Sequence, residues 1–162
     1  MRALPTLLLL ILALVATPAL QAGETLSENL TAKTQPLLKA LSMIGTPYKF
    51  GSNNPEKGLD CSGFVKYVYK ETADVSLPRS ASDMSKEGAA VDKEKLEPGD
   101  LVFFNTRKRA NSHVGIYAGN GEFVHASSSQ TKQVTVSRMD QKYWATRFNG
   151  ARRVLPDTHA LR

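Results

Sequence analysis

Apolar positions along the chain change their period near the middle. Leu37, Leu38, Leu41 and Ile44 recur at helical spacing and run into Gly45 and Pro47, which predicts a first helix with a sharp stop. The stretch from Tyr48 to Leu59 is rich in Gly, Asn and Pro and reads as a loop. A second helix is predicted from about Cys61 to Glu71, with Phe64, Val65 and Val68 on one face, and a short third helix from about Ser80 to Glu87. Beyond that point the segments are short and rich in Val, Ile, Phe and Tyr. Gly99 to Phe104, His113 to Ala118, Glu122 to Ser127, Gln133 to Ser137 and Ala151 to Leu155 read as strands, and Tyr143 to Phe148 as one helical turn before the last of them. Helices first and strands after argue an α+β fold: N-terminal helices packed on one side of an antiparallel sheet of about five to six strands.

The first residues add a targeting segment. Arg2 precedes an unbroken apolar run from Leu7 to Val15, followed by Pro18 and small residues at Ala19 and Ala22, which reads as an export signal over 1–22 cleaved near Ala22. The run is about half of the roughly 20 apolar residues that span a bilayer, so stable membrane insertion is not expected. Residues 23–36 read as a flexible lead-in, 37–155 as one domain and 156–162 as a tail. With 162 residues in all, the chain has room for one core and one site.

The formal charge of +6 falls to +5 once Arg2 leaves with the signal. Basic and acidic residues are interspersed, and Arg107-Lys108-Arg109 reads as a solvated loop, so a nucleic-acid partner is not expected. A monomer is expected.

Export changes the meaning of the one cysteine, Cys61, because disulfides form in such compartments and this thiol has no partner in its own chain. It is an intermolecular bridge, an inert core residue or a thiol kept for chemistry. Asp60 is placed to cap the second helix, which puts Cys61 in the first turn, where exposed N–H groups and the helix dipole favour a thiolate. Asp60 opposes this by its charge, so its carboxylate is expected to point at backbone N–H groups or a cation. Gly63, unfavourable in a helix, is expected where something packs closely.

A nucleophilic thiol needs a base, and the chain has three histidines. His159 falls in the tail. His113 and His125 bracket a hairpin, "HVGIYAGNGEFVH", and its register decides whether they meet. A two-residue Asn-Gly turn pairs Gly119 with Glu122 and puts the two on opposite faces. A three-residue Gly-Asn-Gly turn pairs Ala118 with Glu122, Tyr117 with Phe123 and Gly115 with His125, so the histidines share a face as diagonal neighbours. The second register is the expected one. The set is then a thiol, a base and a group orienting the base, as covalent catalysis requires. The same residues could in principle hold zinc, although no paired metal-binding spacing is present.

The blocks "GTPYKFGSNNPEKGLDCSGFVKYVY", "LPRSASDM", "LEPGDLVFF", "SHVGIYAGNGEFVHAS" and "YWATRFNGARRVL" resemble, in order and spacing, the NlpC/P60 family of bacterial cell-wall cysteine peptidases, and within it the small periplasmic murein endopeptidases of the Spr/MepS kind. The resemblance implies a papain-like fold with Cys61 as nucleophile, His113 as general base and His125 as the orienting third residue. It implies that Tyr48 assists the oxyanion together with the Cys61 N–H. Asp60, Ser62 and Arg79 would line the cleft, the first two able to meet a substrate amino group. Met84 stands where relatives often carry glutamine, which removes a polar contact expected on one cleft wall. The implied substrate is the peptide part of peptidoglycan, cut without metal or organic cofactor, at the D-alanyl to diaminopimelate cross-bridge or at the D-glutamyl to diaminopimelate bond, with the former favoured. A non-catalytic wall-binding module is the rival reading.

Overall fold

Both halves of the expected α+β pattern are present, and the main sheet has six strands, within the five to six expected. The computed structural model describes residues 34–129 and 131–155. The expected signal over 1–22, most of the lead-in, and the tail with His159 lie outside the described residues. Residues 34–42 form helix α1, so the last three residues read as lead-in are helical. Proline's fixed φ suits the early turns of a helix, which is why Pro36 does not break it. Its inward face carries Ala40 with Leu37 beside it and is continued by Met43 just past the helix end, whereas Leu38, Leu41 and, beyond the end, Ile44 are exposed by 58%, 38% and 48%.

The expected loop after α1 contains a small hairpin, β1 (Asn53–Asn54) and β2 (Gly58–Leu59). Helix α2 (Cys61–Ala73) follows, capped by Asp60, whose side chain accepts from the Gly63 N–H, and closed by Asp74 in the left-handed region at φ 52°. Phe64, Val65 and Val68 are fully buried, as their spacing predicted, and Tyr69 joins them with its hydroxyl donating to the Gly99 carbonyl. Each such side chain contributes about 1.5–3 kcal/mol of burial. Helix α3 is a single turn, Ala81–Met84.

The main sheet has six strands, all pairings antiparallel: β3 (Ala89–Val91), β4 (Leu101–Phe104), β5 (His113–Gly119), β6 (Glu122–Ala126), β7 (Val134–Arg138) and β8 (Phe148–Arg153), in the order β3-β8-β4-β5-β6-β7. β3 went unpredicted because Ala-Ala-Val is a weak, largely exposed edge segment recognised by its partner β8 rather than by its own composition. The helical turn before β8 is shorter than expected, α4 at Lys142–Ala145, so the last strand starts at Phe148.

The sheet is also covered on both sides, not one. Leu101, Phe103, Val114, Ile116 and Val124 face the helices, while Val102, Phe104, Phe123, Met139 and Ala151 form a second core with Trp144 of α4. Double burial explains why all four residues of β4 are apolar instead of alternating.

Candidate active site

The hairpin register carries the site. Ile116 pairs with Val124 and Tyr117 with Phe123, as expected, but the tip pairs Gly119 with Glu122 instead of Ala118 with Glu122. The turn is therefore the two-residue Asn120-Gly121 type, both residues at positive φ (53° and 75°), and a one-residue bulge at Ala118 absorbs the difference. Below the bulge the parity is the one that puts both histidines on one face. His113 Nε2 and His125 Nδ1 lie 2.9 Å apart, with the rings nearly perpendicular at 83°. Gly115 opposite His125 leaves the space for this: a Cβ there would sit 2.7 Å from the Phe123 ring and 3.2 Å from the His125 Cβ.

The pair belongs to the aromatic side of the sheet. Trp144 stacks on His113 with centroids 5.4 Å apart and meets His125 edge-on at 5.0 Å, and Phe123 stacks on His125 at 4.8 Å. His125 Nε2 lies 2.9 Å from Ser137 Oγ on β7. Burial disfavours the imidazolium form: His113 is lowered to about 4, with help from the Arg107 charge, and His125 is held well below its ordinary value by burial and by His113.

Cys61 and His113 line one cavity of about 570 Å³, together with Tyr48, Asp60, Ser62 and Arg79, so the structure brings all the cleft residues expected from the sequence to one place except His125, which stands behind His113. Backbone groups of Val114 and Ser62 hydrogen-bond the Cys61 sulfur, which ties the tip of α2 to the start of β5. The thiolate expected from the helix terminus does not prevail. Burial, then the Asp60 charge, push the thiol pKa up and outweigh those hydrogen bonds and the Arg107 charge. The resting pair is thiol and neutral imidazole.

Asp60 has the destination its charge required. Oδ1 accepts from the Gly63 N–H at 2.7 Å and Oδ2 from the Gly51 N–H at 2.9 Å. Arg79 grips both oxygens, Nη1 to Oδ1 at 2.9 Å and Nη2 to Oδ2 at 2.6 Å, and its Nη1 also donates to Ser62 Oγ at 2.9 Å. Gly63 is closely packed as expected: a Cβ there would fall 2.2 Å from the Ser52 carbonyl oxygen. Tyr48 is set by a backbone bond from its N–H to the Lys132 carbonyl and a bridge to Leu59, and burial pushes its hydroxyl pKa up against the pull of Arg107.

Three features escaped the sequence reading. Arg107 and Arg109, read as solvated, line the cavity because the loop over 105–112 folds back on itself through Ser112 Oγ, which accepts the N–H groups of Thr106 and Arg107 at 2.9 and 3.1 Å. Ser137 lies diagonal to His125 across the β6–β7 ladder, where Phe123 pairs with Ser137 and His125 with Thr135. That relation repeats the one between the two histidines, but the turn leading to β7 gave no register to extend. Met84, expected on a cleft wall, is fully buried in the core, because a one-turn α3 points Ala81 and Met84 inward together. As for zinc, no group of three or more His, Cys, Asp or Glu among the described residues is placed to hold a metal ion.

A model described as the NlpC/P60 family matches residues 45–153. The murein DD-endopeptidase MepS/murein LD-carboxypeptidase of Escherichia coli (strain K12) is 40% identical over 143 residues, covering 86% of this chain and 74% of that protein. The gamma-DL-glutamyl hydrolase of Bacillus subtilis (strain 168) is 43% identical over 124 residues, covering 76% of this chain and 30% of that protein. The crystal structure of an NlpC/P60 family protein from Bacillus cereus ATCC 10987 superposes with a TM-score of 0.70 at 32% identity, covering 76% of this chain and 40% of that one. The chain spans 30%, 52% and 57% of the length of three of the curated relatives it matches. The family match covers the small hairpin, α2, the cavity and the sheet alike, and this chain belongs to the NlpC/P60 family.

Proposed function

We propose that this protein is a murein endopeptidase that hydrolyses amide bonds of peptidoglycan stem peptides through a cysteine acyl-enzyme. The observation that carries the reading is the hydrogen-bonded relay behind the cavity: His113 Nε2 to His125 Nδ1, and His125 Nε2 to Ser137 Oγ, each 2.9 Å. If His125 Nε2–H donates to Ser137, His125 Nδ1 is left to accept from His113 Nε2–H. His113 then presents an unprotonated Nδ1, the state a general base requires.

Cys61 sulfur attacks the amide carbonyl carbon while its proton passes to His113 Nδ1. Tyr48 O–H, held protonated, and the Cys61 N–H receive the developing oxyanion. Collapse breaks the carbon–nitrogen bond, and His113 returns the proton to the leaving amine. Water, deprotonated by His113, then attacks the thioester, releasing the carboxylic acid and the thiol. The raised thiol and lowered imidazole pKa values mean that proton transfer accompanies attack instead of preceding it.

The favoured bond is the D-alanyl to diaminopimelate cross-bridge, in line with the name of the Escherichia coli relative. The name of the Bacillus subtilis relative favours the second reading, cleavage after a D-glutamyl residue. The same reading puts the protein outside the cytoplasm, with 1–22 as its export signal and 37–155 as the catalytic domain. No helix among the described residues is long and apolar enough to cross a membrane.

Mass spectrometry of defined cross-linked and uncross-linked muropeptides, treated with mature protein and with Cys61→Ala, tests this. Dimers converted to intact monomers by the active protein alone support cross-bridge cleavage, and shortened stems move the cut to the D-glutamyl bond. Turnover by Cys61→Ala would remove Cys61 as nucleophile, and no change in either substrate would favour a wall-binding module.

A further inference from the structure

Three arginines line the cavity against one carboxylate among the described residues, Asp60. Arg79 is committed to Asp60 through both guanidinium nitrogens. Arg107 and Arg109 form no ion pair with any carboxylate of the described residues. The cavity therefore holds two positive charges with no internal counter-charge, beside a thiol and a base that are neutral at rest.

The segment that carries these arginines is built. Besides the two bonds to Ser112 Oγ, Asn105 Oδ1 accepts from the Asn111 N–H at 3.0 Å, and Asn111 is held to Ser85 at 2.9 Å and to Asn149 at 2.8 Å. Lys108, between the two arginines, takes a left-handed φ of 54°, and Arg107 and Arg109 both border the cavity while Lys108 does not. The Arg107 guanidinium lies 5.2 Å from the centroid of the Phe50 ring, so an aromatic face helps to hold it at the cavity edge. A guanidinium presents its donors in a planar fork that matches a carboxylate in two-point fashion.

We propose that Arg107 and Arg109 form an anionic subsite that takes a carboxylate of the stem peptide beside the scissile amide. The inference rests on the murein-endopeptidase reading and names what that site recognises. Stem peptides offer such a group from three sources: a glutamyl α-carboxylate, a diaminopimelyl carboxylate and a terminal alanyl carboxylate. Docking would also cancel a charge that now holds down the basicity of His113, so the base strengthens as substrate arrives.

The test is calorimetric titration of the Cys61→Ala protein with a muropeptide and with three versions of it, each carrying one carboxylate as a carboxamide, repeated in the Arg107→Gln, Arg109→Gln background. Cleavage by the Cys61-containing protein is assayed in parallel. One carboxamide is expected to weaken binding by about tenfold, the scale of a charge-assisted hydrogen bond discounted for exposure, and its position identifies the source. In the arginine-substituted background all four peptides should bind alike. Retained discrimination there, or equal binding of all four peptides to the parent, overturns the subsite; if cleavage is intact, the endopeptidase reading survives. Absence of both binding and cleavage overturns the two together.

Discussion

Replacing Asp60 with asparagine separates two effects that one carboxylate now combines. Asparagine is as good an N-cap, so the bond from the Gly63 N–H and the start of α2 should survive. Its side chain has a single acceptor oxygen, so with that oxygen kept for the Gly63 N–H its NH₂ group takes the place of Oδ2 and faces both the Gly51 N–H and Arg79 Nη2, which are donors. Breaking a fully buried ion pair costs about 3–5 kcal/mol. The Arg79 side chain is 41% exposed and can turn to water, which brings the expected loss to about 1–2 kcal/mol, a melting point lower by roughly 3–10 °C. The thiol should respond in the opposite sense. The Asp60 charge is the second largest influence raising the Cys61 pKa, and its removal also frees a nearby guanidinium, so the pKa should fall. The assay is the rate of Cys61 alkylation by iodoacetamide against pH, with thermal unfolding measured alongside. A midpoint that stays in place or rises, in protein that has lost the expected stability, would refute the electrostatic account of the site.

Ser137→Ala should lower kcat about threefold to tenfold with KM unchanged, the value of one hydrogen bond that water can partly replace, and Ser137→Thr should restore it; a change confined to KM would remove Ser137 from the relay. Gly63→Ala should destabilise by about 1–3 kcal/mol in urea unfolding despite its better helix propensity, because the new methyl meets a backbone oxygen at 2.2 Å that also accepts the Asp60 N–H. The histidines make a pH prediction. His113 is depressed to about 4 from an ordinary 6.5, so its contribution is fully present above about pH 6.5 and is lost as pH falls toward 4, about 3 kcal/mol for this residue alone. His125 adds a loss of the same sign, and His113→Phe should flatten the acid side of a melting-point profile.

What was readable from sequence follows the range of the forces involved. α2 was legible because its cap, its apolar face and its cysteine lie within a few residues of one another, and Phe64, Val65 and Val68 are buried as their spacing implied. The meeting of His113 and His125 was legible because a hairpin converts turn length into parity. Ser137 and Trp144 were not, since their contacts depend on how β7 and α4 return across turns whose geometry no local pattern records. The charge state of Cys61 was misjudged for a related reason: the helix terminus is local, whereas the burial that outweighs it comes from the whole fold. Arg107 and Arg109 looked like a solvated charge run because the contacts that turn them inward come from Ser112, Asn111 and Asn149.

The bulge at Ala118 has a consequence for how this hairpin tolerates change. It lies between the tip and the histidines, and it takes up the odd residue that would otherwise send one ring to the far side of the sheet. The tip and the chemistry are thereby uncoupled. Another two-residue turn could replace Asn120-Gly121 without touching the relay, and deleting Ala118 alone would remove the bulge while Tyr117 still opposes Phe123, so both rings would keep one face. A comparison of those two variants would show whether the bulge does more than absorb the odd residue: turnover kept in both means that it does not.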